Sequence, residues 1–277
     1  MLKQRLITAI VLLAFLLPAL FAASAWPFAV LTLVLIGAAG WEWGRLNGAG
    51  AGAIPMGVGL AVCCAVALWF GWAQEAPGFP WWLAMLCWVL GGAWALRRGP
   101  SGWPAIPLPV RWVLGLVLLW TAWLALANAK AFGINFILSV FCLVWVADIA
   151  AYFGGRAFGR RKLAPAISPG KSWEGVWSGM AGVLVLATAW LMVDRSFAVD
   201  SPSLFSRVES RLGWLGVVLV AVFLSAMSVV GDLFESLVKR SAGAKDSSGL
   251  LPGHGGVLDR VDALLPVFPL ALALAAL

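Results

Sequence analysis

Long apolar runs occupy most of the chain and are separated by short polar breaks or breaks rich in Gly and Pro. A helix needs about 20 predominantly apolar residues to cross the hydrocarbon core of a bilayer. The pattern therefore predicts an all-α integral membrane protein with about nine transmembrane helices and no soluble domain. The predicted spans are residues 6–23, 27–44, 54–73, 80–96, 111–129, 134–153, 174–193, 213–236 and 257–277.

Composition supports lipid as the main solvent of this chain. Hydrophobic residues make up 62% of the sequence and charged residues 11%, whereas soluble domains average about 25% charged residues. The first apolar run resembles a signal peptide, but it lasts roughly 18 residues and lacks a convincing cleavage site. We therefore interpret it as a retained first helix.

The distribution of basic residues predicts the orientation of the spans. With the N-terminus in the cytoplasm and nine alternating crossings, all but four of the 19 Lys and Arg residues lie on the cytoplasmic side. This N-in/C-out arrangement satisfies the positive-inside rule. The net charge of +7 is then explained by topology, and no nucleic-acid partner is expected. The four exceptions are Lys130, Arg195, Arg207 and Arg211.

Most acidic residues gather on the same side as the basic ones. A charge deep in a span costs about 2.5–3.5 kcal/mol on insertion scales, so a group of them needs a cation, a polar cavity or basic partners. The alternative is that helix-end charges reach water by snorkelling, and for Glu42 that is the preferred interpretation. The cytoplasmic-side acids are Glu42, Asp148, Glu174, Asp232, Glu235, Asp246, Asp259 and Asp262.

Spacing sharpens this picture into a candidate metal site. Asp232 and Glu235 share a helix face that Lys239 continues, and Asp259 and Asp262 repeat the spacing on the next predicted helix. Carboxylate oxygens suit Mg²⁺, which is usually held by one or two carboxylates together with substrate phosphates. The sequence therefore favours a metal-dependent site on the cytoplasmic side.

Two polar segments, residues 154–173 and 237–256, supply the complement to these acids. The first carries four basic residues between positions 156 and 162, and Ser172 then stands where it can cap the seventh predicted helix. The free N–H groups at the start of that helix, together with Lys171 beside them, form a candidate anion site. An ordinary helix cap explains Ser172 equally well. The second contains His254, the single histidine, followed by Gly255 and Gly256, and glycines allow close approach to a phosphate. A polyphosphate substrate fits this set, since phosphoryl transfer depends largely on positioning and charge.

The C-terminal polar segment also carries a family resemblance. Residues 236–262 read SLVKRSAGAKDSSGLLPGHGGVLDRVD. This stretch resembles the signature of the phosphatidate cytidylyltransferase, or CDP-diacylglycerol synthase, family without a departure. Two upstream pieces, residues 148–155 and 168–175, are also similar to the family. The resemblance covers roughly residues 145–265 and leaves the N-terminal helices, residues 1–130, without a recognised motif.

The resemblance implies the reaction of CTP with phosphatidate to give CDP-diacylglycerol and pyrophosphate. It implies Mg²⁺ as cofactor, held by Asp232 and Asp259, with a second cation of unassigned identity as a further candidate. Lys239 and Arg240 join these two acids as the expected catalytic residues. The expected substrate-binding residues are Asp148, Ser168, Lys171, Ser172, Glu174, Lys245, Asp246, His254, Gly255, Gly256, Arg260 and Asp262.

The same resemblance implies a cellular setting and a division of the chain. Residues 131–277 form the expected catalytic region in a bacterial inner membrane, with the active site facing the cytoplasm. The expected partners are CTP, phosphatidate and membrane lipid, and a homodimer is a further candidate assembly. Two alternatives stay open at this point. A CTP-dependent lipid kinase would transfer the γ-phosphoryl group instead, and a cation-coupled transporter would use the acids as an ion pathway.

The predicted metal site carries expectations for three variants. If Asp232 and Asp259 repel each other without a cation, replacing either by Asn should leave stability unchanged or raise it. Glu42→Gln should serve as a neutral control, because only membrane depth connects Glu42 with the cluster.

Overall fold

The structure is a computed structural model that describes residues 2–276, and helices dominate it. The side chains of Lys3 and Arg5, which the orientation count includes, and the last residue of the ninth predicted span, Leu277, lie outside the described part. The helices are α1 Leu2–Phe21, α2 Trp26–Leu46, α3 Ala53–Trp69, α4 Phe79–Leu86, α5 Ala93–Gly102, α6 Leu108–Phe132, α7 Ile134–Phe158, α8 Trp173–Ser196, α9 Leu204–Ser241, α10 Leu258–Val261 and α11 Leu264–Ala275. A π-helical turn, Cys87–Gly92, joins α4 to α5.

Helix length and composition confirm an α-helical membrane protein. Within the described residues, seven helical stretches are long and apolar enough to cross a bilayer. They correspond to the second through eighth predicted spans, with α4, the π-turn and α5 acting as one continuous stretch. The first predicted span coincides with α1, whose apolar part, Leu6–Phe21, is shorter.

The ninth predicted span differs from the expectation. Residues 257–263 form the single turn of α10 and a bend, and α11 contains only 12 residues. At 1.5 Å per residue α11 is about 18 Å long, whereas the hydrocarbon core is about 30 Å thick. The charged residues between positions 259 and 262 interrupt the apolar run. Although α11 is short, it packs against α4, α6 and α9 and is largely buried.

The basic segment after α7 is ordered and includes the only described strands. Strands β1, Lys162–Ala164, and β2, Ser168–Ser172, pair as an antiparallel hairpin with Lys162 opposite Ser172. The Ser172 side chain accepts a hydrogen bond from Gly175 N at 3.2 Å, which confirms its role as the N-cap of α8. The hairpin is a small departure from an all-α fold, and it fixes the direction from which β2 approaches α9.

Close helix contacts set the frame around this hairpin. Helices α7 and α8 pack tightly along their length, and a side chain at Gly179 would collide with the backbone of Ala147. Small residues at such a crossing let two membrane helices approach closely. On the other side of α9, an aromatic cluster of Trp43, Trp88 and Trp103 surrounds Phe234. This cluster couples the end of α2 to the end of α9.

Candidate active site

A lysine from the hairpin meets a carboxylate from α9. Lys171, on β2, places its Nζ 2.5 Å from Asp232 Oδ2. The other oxygen, Asp232 Oδ1, accepts a hydrogen bond from Ser236 Oγ at 3.3 Å. Both charged side chains remain about a quarter exposed, at 24% and 30%. The pair therefore lies at a surface that a polar ligand can reach.

Two further acids stand close to this pair. Asp148 of α7 interacts electrostatically with both Lys171 and Asp232, and Asp262, which follows α10, does the same. Asp148 is exposed although it lies well inside an apolar helix. Three carboxylates from three separate elements thus lie within electrostatic reach of one ammonium group.

A second lysine is buried between two carboxylates. Lys239 Nζ lies 2.5 Å from Glu235 Oε2 on the same helix and 2.5 Å from Asp259 Oδ1. The three side chains are only 5–11% exposed. Buried charges must be paired or they destabilise the fold strongly. Glu235 Oε1 has no hydrogen-bond partner among the described residues.

Asp259 is held from both sides. Its Oδ2 accepts hydrogen bonds from Ser247 N and Ser247 Oγ, both at 2.8 Å, and from Gly256 N at 2.7 Å. The Lys239 ammonium contacts the other oxygen, Oδ1, so both carboxylate oxygens of Asp259 have donors.

The paired glycines of the signature segment approach two carboxylates. Gly255 has a φ of +82°, and a side chain there would collide with Asp259 Oδ2. A side chain at Gly256 would collide with the carboxylate of Glu42. In this arrangement the Gly256 N–H is used by Asp259, so close packing against protein carboxylates already explains both glycines. Their contact with a substrate phosphate stays a prediction.

Glu42 corrects the interpretation of a snorkelling helix-end charge. The residue is completely buried. Its carboxylate accepts hydrogen bonds from Ser248 Oγ at 2.5 Å, Val257 N at 2.9 Å and Leu258 N at 2.8 Å. The N-terminal helices, which carry no recognised motif, therefore contribute a polar side chain to the signature segment. The physical reason is that an acid in an apolar span needs hydrogen-bond partners, and this segment supplies them.

Comparison with known proteins identifies the family. The model of the cytidylyltransferase family matches residues 3–277. The chain belongs to this family of nucleotidyltransferases. It is 40% identical over 283 residues to a phosphatidate cytidylyltransferase of Pseudomonas aeruginosa, an alignment covering 99% of this chain and 97% of the relative.

Two other phosphatidate cytidylyltransferases are similar over about half of the chain. The Haemophilus influenzae protein is 49% identical over 137 residues, covering 50% of this chain and 44% of the relative. The Bacillus subtilis protein is 38% identical over 150 residues, covering 54% and 51%. Family membership supports nucleotidyl transfer and gives no support to the transporter or the lipid kinase.

The other predicted site residues bind backbone groups or are exposed to solvent. Glu174 accepts hydrogen bonds from Arg160 N at 3.0 Å and Arg161 N at 3.1 Å, which orders the basic segment ahead of the hairpin. Ser168 pairs with Ala164 across the hairpin. Lys245 and Asp246 are both exposed, in the loop that follows α9.

Two predicted arginines bind carbonyl groups of their own segment. Arg240 donates to Ala244 O at 3.2 Å, just beyond the end of α9. Arg260 donates through Nε and Nη2 to His254 O at 3.0 and 2.7 Å. The buried Nδ1 of His254 lacks a hydrogen-bond partner among the described residues. These contacts shape the loop, and the substrate contacts of all three residues stay predictions.

The two predicted metal-binding acids, Asp232 and Asp259, differ in how well they are placed to bind a hard cation such as Mg²⁺. Residues 2–276 contain no preformed group of three or more His, Cys, Asp or Glu side chains with metal-binding geometry. Asp232, with Asp148 and Asp262 nearby, offers the carboxylate oxygens that Mg²⁺ prefers, and Lys171 is the partner a cation would displace. Asp259 fits less well, because both of its oxygens already have donors. It can join a metal only if Lys239 leaves Oδ1.

Sequence reasoning missed Glu42 and Ser247 as parts of the site. Ser247 donates to Asp259 and lies beside the signature residue Ser248. Glu42 is the single acid in α2, and that isolation was the available signal, since such a residue must find partners inside the protein. Its partners lie more than 200 positions away, so spacing along the chain could not reveal them.

Proposed function

We propose that this chain transfers the cytidylyl group of CTP to phosphatidate, forming CDP-diacylglycerol and releasing pyrophosphate. The observation that carries the proposal is the group of three carboxylates around Lys171, beside an ordered basic hairpin. Such a site suits an anionic substrate bound with a cation. The full-length similarity to a phosphatidate cytidylyltransferase supports the same reaction.

The proposed chemistry is an in-line displacement at phosphorus. A phosphate oxygen of phosphatidate forms a bond to the α-phosphorus of CTP, and the bond from that phosphorus to the bridging oxygen of the leaving group breaks. The attacking phosphate is already anionic, so no strong general base is required. Lys171 is partly exposed and is better placed than Lys239 to stabilise pyrophosphate, because Lys239 is already paired with two buried acids. Mg²⁺, held by Asp232 and the neighbouring acids, would offset the repulsion between the two anions.

Labelled CTP tests the reaction directly. Purified protein in detergent is given phosphatidate and CTP labelled at either the α- or the γ-phosphorus. We expect label from α-labelled CTP in the lipid fraction, and we expect EDTA to abolish it. Diacylglycerol replaces phosphatidate in the control, which should yield no labelled lipid. Transfer of label only from γ-labelled CTP to diacylglycerol would overturn the proposal in favour of a lipid kinase.

The proposal includes a nine-crossing, N-in/C-out topology in a bacterial inner membrane, with the site facing the cytoplasm. Two contacts at opposite ends of the bundle support it. Thr8 Oγ1 donates to Pro252 O at 2.9 Å, within the signature segment. Arg211, from the predicted outer side, donates to Ala276 O at 3.0 Å. The two termini thus lie at different ends of α9.

Reporter fusions test this topology. Alkaline phosphatase is active only in the periplasm, so a C-terminal fusion should be active and a fusion within residues 156–166 should be inactive. The reverse pattern would place the site on the side that lacks CTP. Equal activity of the two fusions would show that α10 and α11 do not complete a crossing.

A further inference from the structure

Glu42 connects an N-terminal helix to the signature segment at two places. Its Oε1 accepts hydrogen bonds from Ser248 Oγ and Val257 N, and its Oε2 accepts one from Leu258 N. Ser248 stands near the start of the loop, and the two backbone donors stand at its end, where α10 begins. One carboxylate thus closes residues 248–257 into a loop with a defined base.

This contact continues to the paired charges of the candidate site. Ser247 Oγ lies 2.8 Å from Asp259 Oδ2 and 3.2 Å from Glu42 Oε2. A hydroxyl carries one proton and can donate to only one of these oxygens at a time. The nearer carboxylate, Asp259, in turn holds Lys239. A path of direct contacts therefore joins Glu42 to Asp259 and Lys239.

The packing around Glu42 shows that this approach is tight. The carboxylate is completely buried, and Gly256 leaves the space that a Cβ would otherwise take from it. Its helix neighbour Trp43 stacks on Phe234, which precedes Glu235 on α9. The end of α2 is thus held against α9 independently of the loop, so Glu42 can act as a fixed point for residues 247–258.

We propose that Glu42 is a positioning residue, which fixes the signature segment so that Asp259 keeps its place beside Lys239. The proposal rests on the proposed function only for its effect on turnover. A carboxylate accepts on both oxygens, whereas the Gln amide presents an NH₂ group on one side. In Glu42→Gln the NH₂ group therefore faces a hydrogen-bond donor at one end of the loop, and that donor loses its acceptor. Ser248→Ala removes one donor and keeps both backbone contacts, so its effect should be smaller.

Hydrogen–deuterium exchange of the purified full-length protein tests the contact without any substrate. In Glu42→Gln we expect exchange at Val257 and Leu258 to be about tenfold faster, as follows when a buried hydrogen bond is lost. Exchange in α3 and α6 should stay at the wild-type rate. Thr121→Val is the matched control, because Thr121 is equally buried and bonds only within its own helix, to Leu118 O. It should match the wild type throughout.

Cytidylyl transfer per folded protein gives the second measurement. For Glu42→Gln we expect kcat/KM to fall about 10- to 100-fold, the range for residues that orient functional ligands, and for Ser248→Ala only a few-fold. Wild-type exchange, or wild-type turnover, in Glu42→Gln would overturn the proposal. So would faster exchange spread over α3 and α6 with normal turnover of the folded fraction. If Glu42→Gln fails to fold, wild-type exchange and turnover in Ser248→Ala overturn it.

The two proposals fail in different ways. A wild-type protein that transfers no cytidylyl group from CTP contradicts the proposed function. Exchange at Val257 and Leu258 would still decide whether Glu42 holds the segment.

Discussion

Asp194 and Asp200, at the end of the bundle where α7 begins, bind uncharged donors, whereas Asp232, Glu235 and Asp259, at the end where α7 stops, bind lysines. Asp200 accepts hydrogen bonds from the N–H groups of Ile134 and Asn135, at the start of α7. Asp194 accepts from Asn135 Nδ2, Ser203 N and Ser206 Oγ. Helix N-termini favour negative charge, so these acids are satisfied as caps.

The site end of the bundle is less completely satisfied. There, Lys171 forms an ion pair with Asp232, and Asp148 and Asp262 lie nearby. Lys239 forms ion pairs with Glu235 and Asp259. Carboxylates outnumber lysines in both groups. An acid near a membrane surface therefore indicates a ligand site when its neighbours are other acids, and a structural cap when its neighbours are N–H donors.

Removing the buried lysine should produce the largest effect. Lys239→Met leaves Glu235 and Asp259 as two buried, unpaired carboxylates. Breaking a buried ion pair typically costs about 3–5 kcal/mol, so the free energy of unfolding in mixed micelles should fall by that order. Lys171→Met is the matched control and should lose less stability, because its side chain is 24% exposed. Equal stability losses in the two variants would remove the distinction between a buried and an accessible group.

Asp232→Asn should separate catalysis from stability. We expect cytidylyl transfer to fall about 100-fold or more, in line with the several kcal/mol that a catalytic metal supplies. Thermal stability in detergent should hold, because Lys171 keeps Asp148 and Asp262 as neighbours. Radiolabel transfer and unfolding of the same preparation measure the two quantities. Normal turnover in this variant would exclude Asp232 from the reaction.

Asp259→Asn is the counterpart, and here the contacts predict the opposite of the sequence-based expectation of unchanged or raised stability. That expectation assumed that repulsion between Asp232 and Asp259 dominates. Instead, Asp259 neutralises Lys239 and accepts hydrogen bonds from Ser247 and Gly256. The variant should therefore lose stability as well as activity. A gain in stability would restore the repulsion argument.

Asp194→Asn tests the cap end of the bundle. The amide keeps one acceptor oxygen and loses the other, so at least one donor among Asn135, Ser203 and Ser206 loses its partner. Leaving a buried donor unsatisfied costs about 1–3 kcal/mol, and the midpoint of thermal unfolding should fall. Turnover per folded protein should match the wild type. A selective loss of kcat/KM at full stability would show that the two ends are coupled.

Much of the difference between the two ends of the bundle could be predicted from the sequence, but the binding partners of the acids could not. Apolar runs predicted α1 and the seven stretches long enough to cross a bilayer, whereas residues 257–276 contain two shorter helices because the charges at 259–262 interrupt the run. Helical spacing placed Glu235 and Lys239 on one face, and they form an ion pair. The pairing of Lys171 with Asp232 depends on a hairpin that residue spacing does not predict. Glu42 finds its donors where α2 packs against α10 and the loop before it, which periodicity within either helix does not reveal.

The smallest expected effect concerns an exposed ion pair at the cap end. Arg195 Nη2 lies 2.6 Å from Glu209 Oε1, and the Arg195 side chain is 65% exposed. Exposed pairs contribute about 0.2–1 kcal/mol and are screened by salt. Glu209→Gln should therefore lower the free energy of unfolding slightly at low ionic strength, and the difference should vanish in about 1 M salt, where the Debye length is about 3 Å. Turnover should be unchanged, since Glu209 belongs to the end without lysine-paired acids. A salt-resistant loss would mean that the pair is desolvated in the membrane interface, and that charge pairing also stabilises the cap end.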